Sequence, residues 1–180
     1  MSNQLTKQMK PQIIFKEGRQ GELTLDAIKG IAIPRIDGKT ILVYPKYKIC
    51  KLLDVKRIDD WKEPEHSEIE ALFEDTDLSK ERTDELLKLD SPAAKFVRGI
   101  GEKFNIPCLL TTGAIKKYQK KINTLAKQIE GADLLPKGSY LWSCLRGIDG
   151  YAWVANSGGF FYDEYTYYTF VVVPVAVNEA

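Results

Sequence analysis

The chain has 180 residues, 44% hydrophobic and 28% charged, which is the size and composition of one ordinary globular domain. Its 26 basic and 25 acidic residues leave a net charge of +1, so bulk charge favours neither nucleic acid nor an anionic membrane as a partner. No apolar run approaches the roughly 20 residues that span a bilayer, and no apolar signal segment follows Met1. We therefore expect a protein made in the cytoplasm, without secretion or membrane insertion.

The first 25 residues are polar apart from Ile13-Ile14-Phe15. They predict an extended arm ahead of one domain over residues 26–177, which a short tail at 178–180 follows. Two apolar runs, residues 30–33 and 41–44, then flank Asp37-Gly38. This pattern predicts a β-hairpin closed by a type I′ turn. The lysine-rich stretch that comes next fits either a strand or a loop.

An acidic segment, residues 57–80, raises the question of a metal site. It lacks the Asp-x-Asp-x-Asp-Gly spacing of a calcium loop, so we predict a solvated loop with a short helix and no metal. Cys50, Cys108 and Cys144 show no Cys-x-x-Cys spacing, and His66 is the only histidine in the chain. These residues predict three reduced, buried cysteines.

Helices are predicted in the middle of the chain. Ser79 is expected to cap a short first turn. Ser91-Pro92 has the N-cap and first-position residues of a helix over residues 93–104. A further helix is predicted from Thr112 to just before Gly131, because apolar residues recur there at steps of three and four with lysines on the other faces.

The last fifth of the chain is rich in aromatic residues. Three apolar runs, residues 140–144, 151–156 and 170–175, are separated by glycine-containing turns and predict a small antiparallel sheet. Strand alternation predicts that Trp142, Ala152 or Trp153, Phe170 and Val172 are buried.

Tyrosine offers a large rigid face and a polar tip, so the other side chains of this stretch are candidate contacts for a sugar ring or a protein. The predicted ligand- or partner-binding residues are Arg146, Asp149, Tyr151, Asn156, Phe161, Tyr162, Tyr165 and Tyr167.

A set of residues in this stretch carries a resemblance to a known family: Tyr140, Trp142, Ser143, Ala152, Trp153, Val154, Asn156, Gly159, Val173, Pro174 and Val175. On these residues the chain resembles the Lcl C-terminal-like family, also called the major paralogous domain, which is plentiful in gut bacteria and their phages. Family members resemble C-type lectins and the variable proteins of diversity-generating retroelements. Gly113-Ala114 stands where the family has Glu-Leu, so ligand roles of those polar residues do not carry over.

The resemblance implies an α+β fold, a C-type-lectin-like domain with small antiparallel sheets and two to three helices. It implies a non-enzymatic binding or assembly module at a phage virion surface or in adhesion, with no cofactor. The expected partners are a protein or glycan on a cell surface, or neighbouring virion subunits. One alternative is a monomeric diversified ligand-binding protein. Another is an enzyme related to the formylglycine generators, for which Cys108 and Cys144 are the only candidate redox pair.

Overall fold

The computed structural model describes residues 9–61, 76–147 and 150–177. In these residues the protein is an α+β fold, as the sequence predicts, with four α-helices rather than two or three. The helices are α1 (Thr76–Lys88), α2 (Pro92–Ile100), α3 (Leu109–Lys117) and α4 (Gln119–Ala126). The strands are β1 (Gln12–Phe15), β2 (Ile28–Pro34), β3 (Thr40–Val43), β4 (Lys48–Lys51), β5 (Leu141–Arg146), β6 (Tyr151–Ala155), β7 (Phe161–Tyr165), β8 (Thr169–Val172) and β9 (Val175–Val177).

The predicted hairpin is present as β2 and β3, but its turn differs from the prediction. Gly38 has a positive φ of 85°, whereas Asp37 does not have a positive φ, so the turn is not type I′. The Arg35 N–H donates to the Lys39 carbonyl (2.8 Å), and the Gly38 N–H donates to the Arg35 carbonyl (2.9 Å). Because the loop is one residue longer than a type I′ turn, it needs a left-handed residue only at Gly38.

A four-stranded sheet joins both ends of the described chain in the order β1-β2-β3-β9. The apolar island of the N-terminal segment forms β1, which pairs with β2 in antiparallel register from Gln12 opposite Ala32. This part of the predicted arm is therefore a strand of the domain. Residues 1–8 of the predicted arm and the tail at 178–180 lie outside the described residues.

The second sheet has five strands in the order β4-β8-β5-β6-β7. The prediction of a purely antiparallel closing sheet is wrong in one place, because β5 and β8 are parallel where Leu141 pairs with Val171. The predicted strand over residues 170–175 is also divided. Its first part is β8, and after Val173-Pro174 the chain enters the other sheet as β9. Proline lacks an N–H group, which explains why the strand pairing ends there.

The second helix begins as predicted, with the Ala94 N–H donating to the Ser91 Oγ (3.1 Å) and Pro92 in the first turn. It ends at Ile100, before Gly101, rather than at Phe104. Ser79 lies inside α1 and donates its hydroxyl to the Ile106 carbonyl, so the predicted cap there is wrong.

The long helix predicted after Thr112 is two helices. Cys108 is the N-cap of α3, and Thr112 lies inside that helix, where its hydroxyl donates to the Leu109 carbonyl (2.7 Å). Tyr118, at φ −102° and ψ 12°, separates α3 from α4. The chain leaves α4 at Lys127, so Gly131 is not its C′ residue. On the two sides of the break, α3 contacts β5, β6 and β2, whereas α4 contacts β2.

Two clusters of buried side chains make up most of the core. One gathers Trp142 of β5 with residues of α1 and α2, and the other joins the four-stranded sheet to α3 and α4. Cys50, Cys108 and Cys144 are buried, as predicted, and carry free thiols. The lysine-rich stretch forms β4 followed by a 3₁₀ turn, Val55–Asp60. Residues 62–75 of the predicted acidic segment, including His66, lie outside the described residues. Among the described helices none has the length and apolar character needed to cross a bilayer.

Candidate binding surface

Four tyrosine rings contact one another along one end of the five-stranded sheet, and we call them the tyrosine row: Tyr151, Tyr165, Tyr167 and Tyr168. Tyr151 lies directly opposite Tyr165 across the β6–β7 pair, and their rings stack with centroids 4.3 Å apart. Tyr165 also stacks on Tyr167 (5.1 Å) and meets the edge of Tyr168 (5.5 Å). Sheet register thus brings together side chains that are far apart in the sequence.

The turn that carries Tyr167 and Tyr168 is fixed by backbone hydrogen bonds on both sides of Thr166. The Thr166 N–H donates to the Gly150 carbonyl (3.2 Å), and the Thr166 carbonyl accepts from the N–H groups of Leu52 (3.0 Å) and Leu53 (3.1 Å). Thr166 is fully buried, whereas the two tyrosines that follow it are half-buried and exposed. The turn therefore presents both rings at the surface from a fixed base.

The tyrosine row continues into the protein interior. The ring of Tyr168 meets Phe170 edge-on (6.2 Å), and Phe170 packs against both Tyr140 (5.3 Å) and Trp142 (4.9 Å). Trp142 is wholly buried, as predicted, and its indole N–H donates to the Cys50 carbonyl (2.8 Å). Because each ring rests on the next, the exposed rings are held in place by the core.

Two phenol groups of the row, those of Tyr151 and Tyr167, have raised pKa values. Interaction with the phenol of Tyr165, followed by burial against neighbouring rings, raises the pKa of Tyr151 to about 12. Desolvation raises the pKa of Tyr167 above its usual value. The carboxylate of Asp163, on the same strand as Tyr165, further disfavours a phenolate at Tyr151. Tyr151 and Tyr167 therefore present neutral phenols, which both donate and accept hydrogen bonds.

We expect the effect of Tyr165 on the pKa of Tyr151 to be visible in a pH titration. Because the pKa of Tyr151 is about 12 in the folded protein and 10 in the unfolded chain, its neutral phenol stabilises the fold. This stabilisation is complete below pH 10 and declines as the pH rises from 10 to about 12. The phenolate absorbance of the wild type minus that of Tyr151→Phe should therefore show a step near pH 12. In a Tyr165→Phe background the same difference should move toward pH 10, whereas Tyr162→Phe, which also removes one phenol, should leave it in place. An unmoved step in the Tyr165→Phe background would contradict this effect of Tyr165 on Tyr151.

The other predicted contact residues on β7 lie at its opposite end. Tyr162 is 54% exposed, and Phe161 extends over Gly113 of α3. Phe161 lines a groove of about 750 Å³ between α3 and the β2–β3 turn, together with Ile36 and Tyr118. This end of the strand is therefore a separate, more apolar surface.

Three predicted contact residues take other places. Arg146 is only 5% exposed, with its guanidinium 5.4 Å from the centre of the Trp61 ring, so burial removes it from the surface. Asn156 shapes the β6–β7 turn, because its Oδ1 accepts from the N–H groups of Gly158 (2.9 Å) and Phe160 (3.0 Å). Asp149 lies outside the described residues.

The prediction missed Tyr168, which is 43% exposed and belongs to the row. Its signal was present in the sequence, since it directly follows Tyr167 in the same turn. It also missed Phe160 and Ile36, which are 69% and 86% exposed. The position of Ile36 beside Asp37-Gly38 in the predicted turn was the available sign that its side chain is exposed.

A row of fixed aromatic faces suits non-covalent contact with a planar or apolar partner surface. In the described part of the chain, no three His, Cys, Asp or Glu side chains are grouped to hold a metal ion. Comparison of the chain with protein-family models, curated proteins and solved structures finds no match.

Proposed function

We propose that the chain is a non-enzymatic binding module of the C-type-lectin-like type, which contacts a protein or a glycan through the tyrosine row. The observation that supports this proposal is the stacked arrangement of Tyr151, Tyr165, Tyr167 and Tyr168, in which Tyr168 is exposed and the other three are half-buried. The family resemblance of residues 140–175 supports the C-type-lectin-like part of the proposal. It also supports a place at a phage virion surface or in adhesion.

The energetics of the row favour binding. Association normally costs about 0.5–1.5 kcal/mol for each mobile side chain that becomes fixed at the interface. The rings of Tyr165, Tyr167 and Tyr168 already contact one another, and Tyr168 is anchored through Phe170 to the core. Much of this ordering cost is therefore met in the unbound protein, and the rings offer area for stacking on sugars or for packing against a protein.

One acidic side chain lies beside the row and bears on selectivity. Asp163 is exposed and is two residues from Tyr165 on β7, so both are on the same face of the sheet, whereas Glu164 is on the other face. Carboxylates accept hydrogen bonds from sugar hydroxyls and attract basic protein groups. The proposed ligand therefore has an apolar face for the rings and a donor or cationic group for the carboxylate of Asp163.

The test is a screen of the purified protein against an array of immobilised glycans and a panel of immobilised bacterial cell-surface proteins. For any probe that binds, Tyr168→Ala is expected to weaken affinity about 30-fold, the value of an interface residue that contributes about 2 kcal/mol. Phe160→Ala is the matched control, since it removes a more exposed aromatic ring from outside the row. Thermal unfolding of both variants checks that they remain folded.

Two outcomes would overturn the proposal. One is the absence of binding to every probe in both sets. The other is a probe whose affinity falls with Phe160→Ala and is unchanged with Tyr168→Ala, which would place the contact outside the tyrosine row.

A further inference from the structure

We propose that copies of this chain assemble head to tail by pairing β7 of one copy with β4 of the next, so that the five-stranded sheet continues across subunits. This inference concerns the two edges of the sheet, one of which carries Tyr165 of the tyrosine row, and it does not depend on which ligand the row binds.

The first observation is that β4 and β7 end the sheet. In the described part of the chain, β4 pairs only with β8 and β7 pairs only with β6. The outer side of an edge strand has N–H and C=O groups directed away from the sheet, which can pair with another strand. Both edges also expose an apolar residue, Ile49 on β4 at 64% and Tyr162 on β7 at 54%.

The second observation is that the two edges carry opposite charge. The strand β4 has a lysine at each end, Lys48 and Lys51, whereas β7 has Asp163 and Glu164 at its centre and no basic residue. Two β4 edges would repel each other, and so would two β7 edges, because like charges on facing strands are destabilising. Charge therefore disfavours a two-fold dimer through either edge and favours the unlike pair.

The third observation is strand direction. From β4 to β8 the direction reverses, from β8 to β5 it is kept, and it reverses again at β6 and at β7. The strands β4 and β7 of one molecule are consequently antiparallel. When two copies have the same orientation, β7 of one copy therefore runs antiparallel to β4 of the next, so the two strands can pair as antiparallel neighbours.

The lengths and the residues of the two strands also match. β4 has four residues and β7 has five. The antiparallel register that places Lys51 opposite Asp163 also places Ile49 opposite Tyr165, so that one opposite-charge pair and one apolar pair form together. An interface between two different surfaces of identical chains leads to a closed ring or an open filament, according to the rotation between neighbours.

The test compares two charge-reversed variants separately and mixed. The variant Lys48→Glu/Lys51→Glu has two acidic edges, and Asp163→Lys/Glu164→Lys has two basic edges. Light scattering after gel filtration, at low salt and over the soluble concentration range, should show assembly of the wild type and monomers of each variant alone. An equimolar mixture should assemble again, because each acidic edge then meets a basic one. Added salt should reduce the mass of the wild-type assembly, since salt screens exposed charges.

The control variant is Lys10→Glu/Lys16→Glu, which reverses the charges flanking β1, an edge of the other sheet. It should assemble like the wild type, and circular dichroism should show that all variants are folded. A wild type that stays monomeric, variants that each assemble alone, a mixture that stays monomeric, or assembly lost in the control would each overturn the proposal. Probe binding by Lys48→Glu/Lys51→Glu, which leaves the tyrosine row and Asp163 unchanged, reports separately on the row, so failure of the edge pairing and failure of the proposed function are distinguishable.

Discussion

Replacing Trp142 by alanine is expected to lower the free energy of unfolding by about 3–5 kcal/mol, a large part of the 5–15 kcal/mol that is usual for a domain. The side chain is wholly buried among residues of α1, α2 and β4, and its ring packs 4.9 Å from that of Phe170. Its removal leaves a cavity and deprives the Cys50 carbonyl of the indole N–H. Urea unfolding followed by circular dichroism measures the loss.

Two variants separate the contributions of Trp142. Trp142→Phe keeps most of the ring and loses the hydrogen bond to Cys50, and should cost about 1 kcal/mol from that bond in addition to the smaller volume. Trp153→Ala removes the same side chain from a half-buried position on β6 and should cost clearly less than Trp142→Ala. Equal losses at Trp142 and Trp153 would contradict the described burial.

Replacing Asp37 by alanine is expected to cost about 3 kcal/mol, because it removes the carboxylate from a buried guanidinium. The Arg35 side chain has no exposed surface, and its Nε and Nη2 donate to the two carboxylate oxygens of Asp37 (2.9 and 2.6 Å). Its Nη1 donates to the hydroxyl of Thr111 on α3 (3.0 Å), so the pair also links the hairpin turn to a helix. Chemical denaturation provides the measurement.

The Arg35–Asp37 pair should also give the fold a dependence on acid. Hydrogen bonds from Arg35 lower the pKa of Asp37 below its usual value. The stabilisation is therefore complete above about pH 4, the usual carboxyl pKa, and is lost as the pH falls through the lower pKa of the folded state. The wild type should lose stability over this acidic range, whereas Asp37→Asn should lose less.

The matched control for Asp37 is Asp26, which pairs with Arg19 at 3.2 Å on the surface. Asp26→Ala should cost at most about 1 kcal/mol, because both partners of that pair are exposed to water. A cost at Asp26 as large as that at Asp37 would show that the burial of Arg35 does not determine the effect.

Residues of the closing segment show where reasoning from sequence is effective. Trp142 and Val172 are buried as predicted, whereas Phe170 is only half-buried, and of the alternatives Ala152 and Trp153 it is Ala152 that is buried. The strand period of two is visible at Ala152 and Trp153, but not on β5, where every residue is buried. The tyrosines were correctly associated with the sheet, but their stacking was not predictable. It depends on the register that places Tyr151 opposite Tyr165 and on the turn that brings in Tyr167 and Tyr168.

The polar residues predicted to contact a ligand show where reasoning from sequence fails. Arg146 and Asn156 were chosen because their side chains form hydrogen bonds with ligands. In the structure Arg146 is buried beside Trp61, and Asn156 bonds to its own turn. A local sequence pattern does not distinguish a polar group that binds a ligand from one that satisfies the protein itself, because the competing partner is chosen by the fold.

The sequence by itself determined that both strands and helices are present, the hairpin of β2 and β3, and the start of α2 at Ser91-Pro92. Each of these depends on neighbours within a few residues: apolar alternation, a glycine in a turn, or a cap followed by proline. Only the tertiary structure decided the break at Tyr118, the division of the last apolar run at Pro174 between two sheets, and the formation of the tyrosine row. Those features require distant segments to pair or pack, and their free energy comes from contacts that no short stretch of sequence contains.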